Sequence, residues 1–173
     1  MITIEHNGKI YNKYNKLWVD ENYIAIPTSM QNELNYAYFK SLDTENLDVE
    51  DLIKLGDDFK EIESYALAID VYLLVSQKGS EKQVCKILPR ITSCYRKLNR
   101  PDLVIDILSM AKKKFGKNIL TPVLLTSAAA AYCDLNKFEE AKQCCDYAFA
   151  MSKGKGSFEF AMVYKRINSH YKK

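Results

Sequence analysis

Histidine is nearly missing from this 173-residue chain. Only His6 and His170 occur, each within a few residues of a terminus, where backbones are usually mobile. Neither is expected to act as a positioned general base or metal ligand. Glycine is scarce too, and the six glycines are scattered. No phosphate-cradling loop, dinucleotide fingerprint or Gly-x-Ser-x-Gly elbow can be assembled from them. The five cysteines (Cys85, Cys94, Cys133, Cys144 and Cys145) are odd in number and contain no Cys-x-x-Cys pair. A disulfide framework is not expected; reduced, mostly buried thiols of the cytoplasm fit better. The adjacent Cys144-Cys145 pair leaves a redox role open, but ligands for zinc are lacking.

Long hydrophobic runs are also absent. The longest uncharged stretch, Ile119 to Cys133, contains Thr121, Pro122, Thr126 and Ser127, and is too short and polar to span a bilayer. The opening residues, Met1 to His6, have neither a basic start nor an apolar run, so no signal peptide is expected. The acidic pairs Asp57-Asp58 and Glu139-Glu140 fall on expected solvent-facing helix surfaces. No catalytic residue, cofactor or metal site follows from these patterns, and the chain is read as a non-enzyme without membrane association.

What the chain does contain is ordinary for a globular protein: 47% hydrophobic and 27% charged residues, and a net charge of +3. That small net charge hides an asymmetry. Residues 1–84 carry 8 Lys/Arg against 15 Asp/Glu, a balance of −7; residues 85–173 carry 17 against 7, a balance of +10. Such a split points to an anionic partner at the basic end, to attraction between the two ends, or only to solvated helix faces.

Internal periodicity is the most informative feature, since repeats of about 20–50 residues mark stacked architectures. Three segments align on Phe59, Tyr95 and Tyr132, spaced by 36 and 37 residues. Three residues earlier stand Gly56, Thr92 and Ala129; seven earlier stand Leu52, Leu88 and Leu125. Nine residues later come Ala68, Val104 and Ala141; thirteen later come Tyr72, Leu108 and Cys145. Each unit is therefore expected to be two amphipathic helices, with small residues where they approach closely. Gly79 and Gly116 are expected to end second helices with positive φ. Ser80 with Gln83, and Asn136 with Glu139, have capping-box spacing. Pro101 and Pro122 fall where a first-turn proline is tolerated.

This pattern resembles the tetratricopeptide repeat (TPR) family, helical hairpins of about 34 residues. Unit three, Leu125 to Ala148 with Ala-Ala-Ala-Tyr-Cys-Asp-Leu-Asn-Lys-Phe-Glu-Glu-Ala, carries the likeness best. The stretches Leu88 to Arg96 and Leu124 to Asp134 look like those of uncharacterised bacterial TPR proteins, so a bacterial or phage origin is expected. The implied fold is mainly α, an α-α superhelix of TPR-like hairpins with a small N-terminal β-hairpin element. The expected organisation is 1–48 as hairpin plus helix, 49–156 as three repeats, and 157–173 as a capping helix.

The N-terminal region has a different texture. Asn7-Gly8 is a hairpin signal between Ile2-Thr3-Ile4-Glu5 and Lys9-Ile10-Tyr11. A second extended pair is expected at Lys16 to Val19 and Tyr23 to Ile26, turning through Asp20-Glu21-Asn22, with a helix over Pro27 to Leu42. Tyr11, Tyr14, Trp18 and Tyr23 concentrate here and serve either as core or as a recognition surface.

The resemblance implies a concave groove lined by the first helix of each unit. Its lining would include Asp57; Lys86, Arg90, Ser93 and Arg96; and Thr126 and Cys133. Family members that grip a C-terminal carboxylate place Lys and Asn where this chain has Ile53 and Asp57, so another binding mode is expected. The expected function is protein–protein interaction, as an adaptor or stoichiometric inhibitor. It would use this groove, the aromatic N-terminal residues Tyr11 and Trp18, or both, and take a protein or peptide partner bearing acidic groups. The alternatives are a nucleic-acid-associated regulator using the basic half, and a self-associating structural protein. Lys112-Lys113-Lys114 sits at a helix C-terminus, where lysines favour the dipole.

Overall fold

The computed structural model describes residues 2–172. It is mainly helical with one small antiparallel sheet, and it divides into two compact units, Met1–Leu74 and Val75–Lys173.

In the first unit, Asn7 and Gly8 both adopt positive φ (52° and 72°) and turn β1 (Ile2–His6) into β2 (Lys9–Tyr14). The register runs from Ile2 opposite Lys13 to His6 opposite Lys9, placing the hairpin where the sequence puts it. The second expected pairing is corrected. Asn15 and Lys16 also take positive φ (46° and 71°), so the chain folds back at once and β3 (Leu17–Val19) pairs with β2. Between Val19 and the following segment only an isolated bridge to Ala25 remains.

Alternation along β2 and β3 sends Tyr11 and Trp18 to one face, where they pack on Leu34 of α1 (Thr28–Ser41) with Ile4, Ile26, Met30 and Tyr38. Trp18 Nε1 donates to Asn35 Oδ1 at 2.8 Å. The Trp18 backbone N–H donates to Gln31 Oε1 at 2.8 Å, and Gln31 Nε2 donates to the Trp18 carbonyl at 2.7 Å. One glutamine amide thus satisfies the backbone edge of β3.

The same sheet docks on α2 (Val49–Glu61). Lys13 Nζ lies 4.5 Å from the Tyr38 ring centroid, 5.6 Å from Trp18 and 5.7 Å from Phe59. Burial holds its ammonium below the usual lysine range, opposed by the nearby Asp58 carboxylate. Lys16 Nζ pairs with Asp58 at 3.0 Å and Glu61 at 2.6 Å. Asn35 Nδ2 of α1 donates to Ser64 Oγ, at the turn into α3 (Tyr65–Lys78), at 3.2 Å. The hairpin and α1 therefore form a cap on the first helical hairpin.

The second unit contains α4 (Glu81–Lys97), α5 (Pro101–Phe115), a 3₁₀ turn (Gly116–Ile119), α6 (Pro122–Asp134), α7 (Phe138–Met151) and α8 (Phe158–Tyr171). Ser80 and Gln83 form the capping box at the start of α4, and Pro101 and Pro122 occupy first turns. The Asn136–Glu139 box does not form. Asn136 is instead the left-handed residue ending α6 (φ 59°), and Lys137 precedes α7. Gly116 has the expected positive φ of 74°, whereas Gly79 ends α3 without one.

The repeat is visible in the backbone. Glu63, Asn99 and Asn136, each four residues after the aligned aromatic, take φ of 62°, 57° and 59°. The next residue's N–H closes each turn onto the aromatic's carbonyl: Ser64 to Phe59 at 2.9 Å, Arg100 to Tyr95 and Lys137 to Tyr132 at 2.8 Å. These are Schellman closures of the first helix of every unit. The aligned small positions Gly56, Thr92 and Ala129, and their partners Ala68, Val104 and Ala141, are all buried.

Candidate interaction surface

Two of the groove positions proposed from sequence, Thr126 and Cys133, lie on α6. α6 carries no charge from Val123 to Cys133, and it packs against α4, α5, α7 and α8. Every residue from Leu124 to Ala131 is buried, as expected of a helix that is apolar all round. Thr126 is 3% exposed and turns its hydroxyl to the Pro122 carbonyl at 2.9 Å. Cys133 is buried in a cluster with Ala129, Cys145, and Val163 and Ile167 of α8. Both are corrected from groove lining to core: α8 packs against α6 and α7 of the third hairpin.

Tyr11 and Trp18 are corrected in the same sense. Trp18 has no exposure and Tyr11 is 5% exposed, so both rings serve the sheet–α1 core. The tyrosines of this region that reach solvent are Tyr14, of opposite parity on β2, and Tyr23 in the loop after β3, which meet edge-on with centroids 6.5 Å apart. Asp57 lies in the first unit, half-buried, where its Oδ1 accepts the Tyr72 hydroxyl at 2.6 Å.

Four predicted residues remain at the surface of α4. Lys86, Arg90 and Ser93 follow the i, i+4, i+7 spacing of one helix stripe, Lys86 exposed and the other two half-exposed. Arg96 continues the stripe but is tied to the chain's own acid. Its Nε donates to Asp134 Oδ2 at 2.9 Å, and Nη1 of Arg166 on α8 donates to Asp134 Oδ1 at 2.6 Å. Glu159 Oε1, also on α8, stands 3.9 Å from Arg96 Nη1. One aspartate thus clamps two arginines from two helices. Sequence reasoning missed this role of Asp134 because its partners lie 38 and 32 residues away.

The thiols lack the environment of nucleophiles. Burial pushes Cys145 up to about 12, and raises Cys85, Cys133 and Cys144 as well. At Cys133 the guanidinium groups of Arg166 and Arg96 oppose burial without overcoming it. Among the described residues, no helix is long and apolar enough to cross a membrane, and no three His, Cys, Asp or Glu side chains group as a metal ion would require.

The chain, with its helical hairpins closed by left-handed residues at a period of 36 to 37, is similar in fold to a solved structure. The structure titled MamA MSR-1 C2, of a TPR-containing protein, superposes with a TM-score of 0.54 over 81% of this chain and 79% of that one, at 17% identity. The fold is TPR-like. No family model and no curated protein matches the chain.

Proposed function

We propose that this TPR-like chain is a protein-interaction module of three degenerate repeats and a closing helix. It acts as an adaptor or stoichiometric inhibitor in the bacterial or phage setting expected from its sequence. The observation that carries this reading is the stripe Lys86–Arg90–Ser93 on α4, with Lys86 exposed, Arg90 half-exposed but its Nη1 buried, lying beside an arginine already held in place by Asp134. A clamped Arg96 keeps its remaining N–H groups oriented, so a partner carboxylate meets them with little ordering cost. The partner is a segment carrying acidic groups. The burial of Thr126 and Cys133 removes the small apolar floor from the expected groove, so contact rests on charge and on side-chain hydrogen bonds.

The test is affinity capture on tagged wild-type chain and on a Lys86→Glu/Arg90→Glu variant, each with and without nuclease, followed by mass spectrometry. One nuclease-resistant protein retained by wild type and lost by a folded variant supports the reading. Equal capture by both moves the interface off α4. Loss of all partners after nuclease replaces it with the nucleic-acid-associated alternative, whose affinity would fall steeply with salt.

A further inference from the structure

The two units differ in charge more sharply than the two halves of the sequence. Residues 1–74 hold 6 Lys/Arg against 14 Asp/Glu, a balance of −8; residues 75–173 hold 19 against 8, a balance of +11. The first unit also displays a largely polar groove with some apolar lining, and the second a projecting aromatic ring.

On the acidic unit, the β1–β2 turn, the loop after β3 and the start of α1 enclose an open groove of about 480 Å³. Tyr11, Ile10, Ile26 and Met30 supply its apolar lining; Asp20 and Glu21 stand on it, with Lys9 as the one basic group. The Asp20 loop is ordered rather than loose, because its Oδ1 accepts the N–H groups of Asn22 at 2.9 Å and Ile24 at 2.8 Å. Ile10, on the groove wall, is 51% exposed.

On the basic unit, the first residue of α8 is Phe158, 83% exposed, the most exposed large apolar side chain among the described residues. It follows Lys153-Gly154-Lys155-Gly156-Ser157. This loop is fixed too: Gly154 N–H donates to Phe149 O at 3.0 Å, Lys155 N–H to Ser152 O at 3.2 Å, and Ser157 Oγ accepts the Phe160 N–H at 3.1 Å. Lys153 and Lys155 precede the ring and the acidic Glu159 follows it; an aromatic ring held out beside such a hydrogen-bonded loop is the type of side chain that anchors interfaces.

We propose that the groove of one copy receives Phe158 of a second copy of this chain, with Lys153 and Lys155 meeting Asp20 and Glu21. Charge complementarity selects this occupant, because the chain carries both the acid-rimmed socket and the basic aromatic plug. Both are preorganised, so docking sacrifices little loop freedom. The surfaces are unlike, so the contact is heterologous: copies add head to tail, closing into a ring or extending as a filament. This assembly does not rest on the α4 stripe for its contacts.

Three chains test it by sedimentation velocity and light scattering: wild type, a socket variant Ile10→Asp/Glu21→Lys, and a plug variant Phe158→Asp/Lys155→Glu, each checked for native circular dichroism. Wild type is expected to grow in mass with concentration up to ~100 μM and to dissociate as salt is raised. Each folded variant is expected to stay monomeric alone. An equimolar mixture is expected to form a dimer that grows no further, since the intact plug of one meets the intact socket of the other. Wild type that stays monomeric overturns the proposal, and so does a mixture that fails to pair. Association of either variant alone overturns it as well. Should a fold be lost, Glu21→Lys and Lys155→Glu serve singly: each is expected to stay monomeric alone and their mixture to grow again, since opposite charges then meet at both contacts, and a mixture that fails to associate overturns the proposal.

Discussion

The Tyr72 hydroxyl donates to Asp57 Oδ1 at 2.6 Å, joining the second helix of the first hairpin to its first helix across 15 residues. The tyrosine ring lies along α2 in the space that Gly56 leaves empty. A Cβ built on Gly56 would stand 2.5 Å from Tyr72 Cε1 and 2.8 Å from Cδ1. Helix propensity and packing therefore make opposite predictions at one site.

Gly56→Ala is expected to destabilise the protein. An alanine gains about 1 kcal/mol of helix propensity over glycine. Forcing the fully buried Tyr72 ring aside costs about 1–3 kcal/mol, and packing wins. Urea unfolding of Gly56→Ala, Tyr72→Leu and the double variant checks this. The cost of Tyr72→Leu should shrink by about 1 kcal/mol in the alanine background, the signature of direct contact.

The left-handed closures give a second expectation. Asn99 and Asn136 suit positive φ, whereas Glu63 holds the same conformation with a side chain that disfavours it. Glu63→Gly is expected to raise stability by up to about 1 kcal/mol, and Asn99→Ala to lower it by about 1 kcal/mol. Denaturation midpoints at constant slope measure both. Equal responses at positions 63 and 99 would mean that the closures carry no strain.

Alkaline pH should weaken the fold through its thiols. Burial raises the thiols of Cys85, Cys133, Cys144 and Cys145 above their unfolded value near 9.0, Cys145 to about 12. Each contribution is complete below that unfolded value. Above it the unfolded chain releases protons that the folded chain retains, so stability falls from about pH 9 toward pH 12. Cys145→Ala should flatten this loss while costing some packing at lower pH. Thiol titration of native protein at pH 8 should label Cys85 and Cys144, which are partly exposed, well before Cys94, Cys133 and Cys145.

Much of the fold is legible in the chain because it depends on local chemistry. Asn7-Gly8 specifies its turn through two residues that accept positive φ, and Ser80 with Gln83 caps α4 through neighbours three apart. The phase of Gly56, Thr92 and Ala129 marks where helices approach, since close approach admits only small or compact side chains. The second turn was harder to read: Asn15-Lys16 is no standard hairpin pair, and Lys16 is held there by Asp58 and Glu61, residues more than 40 positions away.

The candidate site was legible only in part, for the same reason. The sequence alone determined the hairpin repeat, the helix count within it and the basic stripe Lys86, Arg90, Ser93 and Arg96, because periodicity and spacing act within a single helix. Tertiary structure decided which of those positions meet water. It turned Trp18 inward and Tyr14 outward, closed α8 over Cys133, and gave Arg96 its partner in Asp134. Exposure depends on which distant element arrives to cover a face, and that outcome follows from packing the whole core, not from any local pattern of residues.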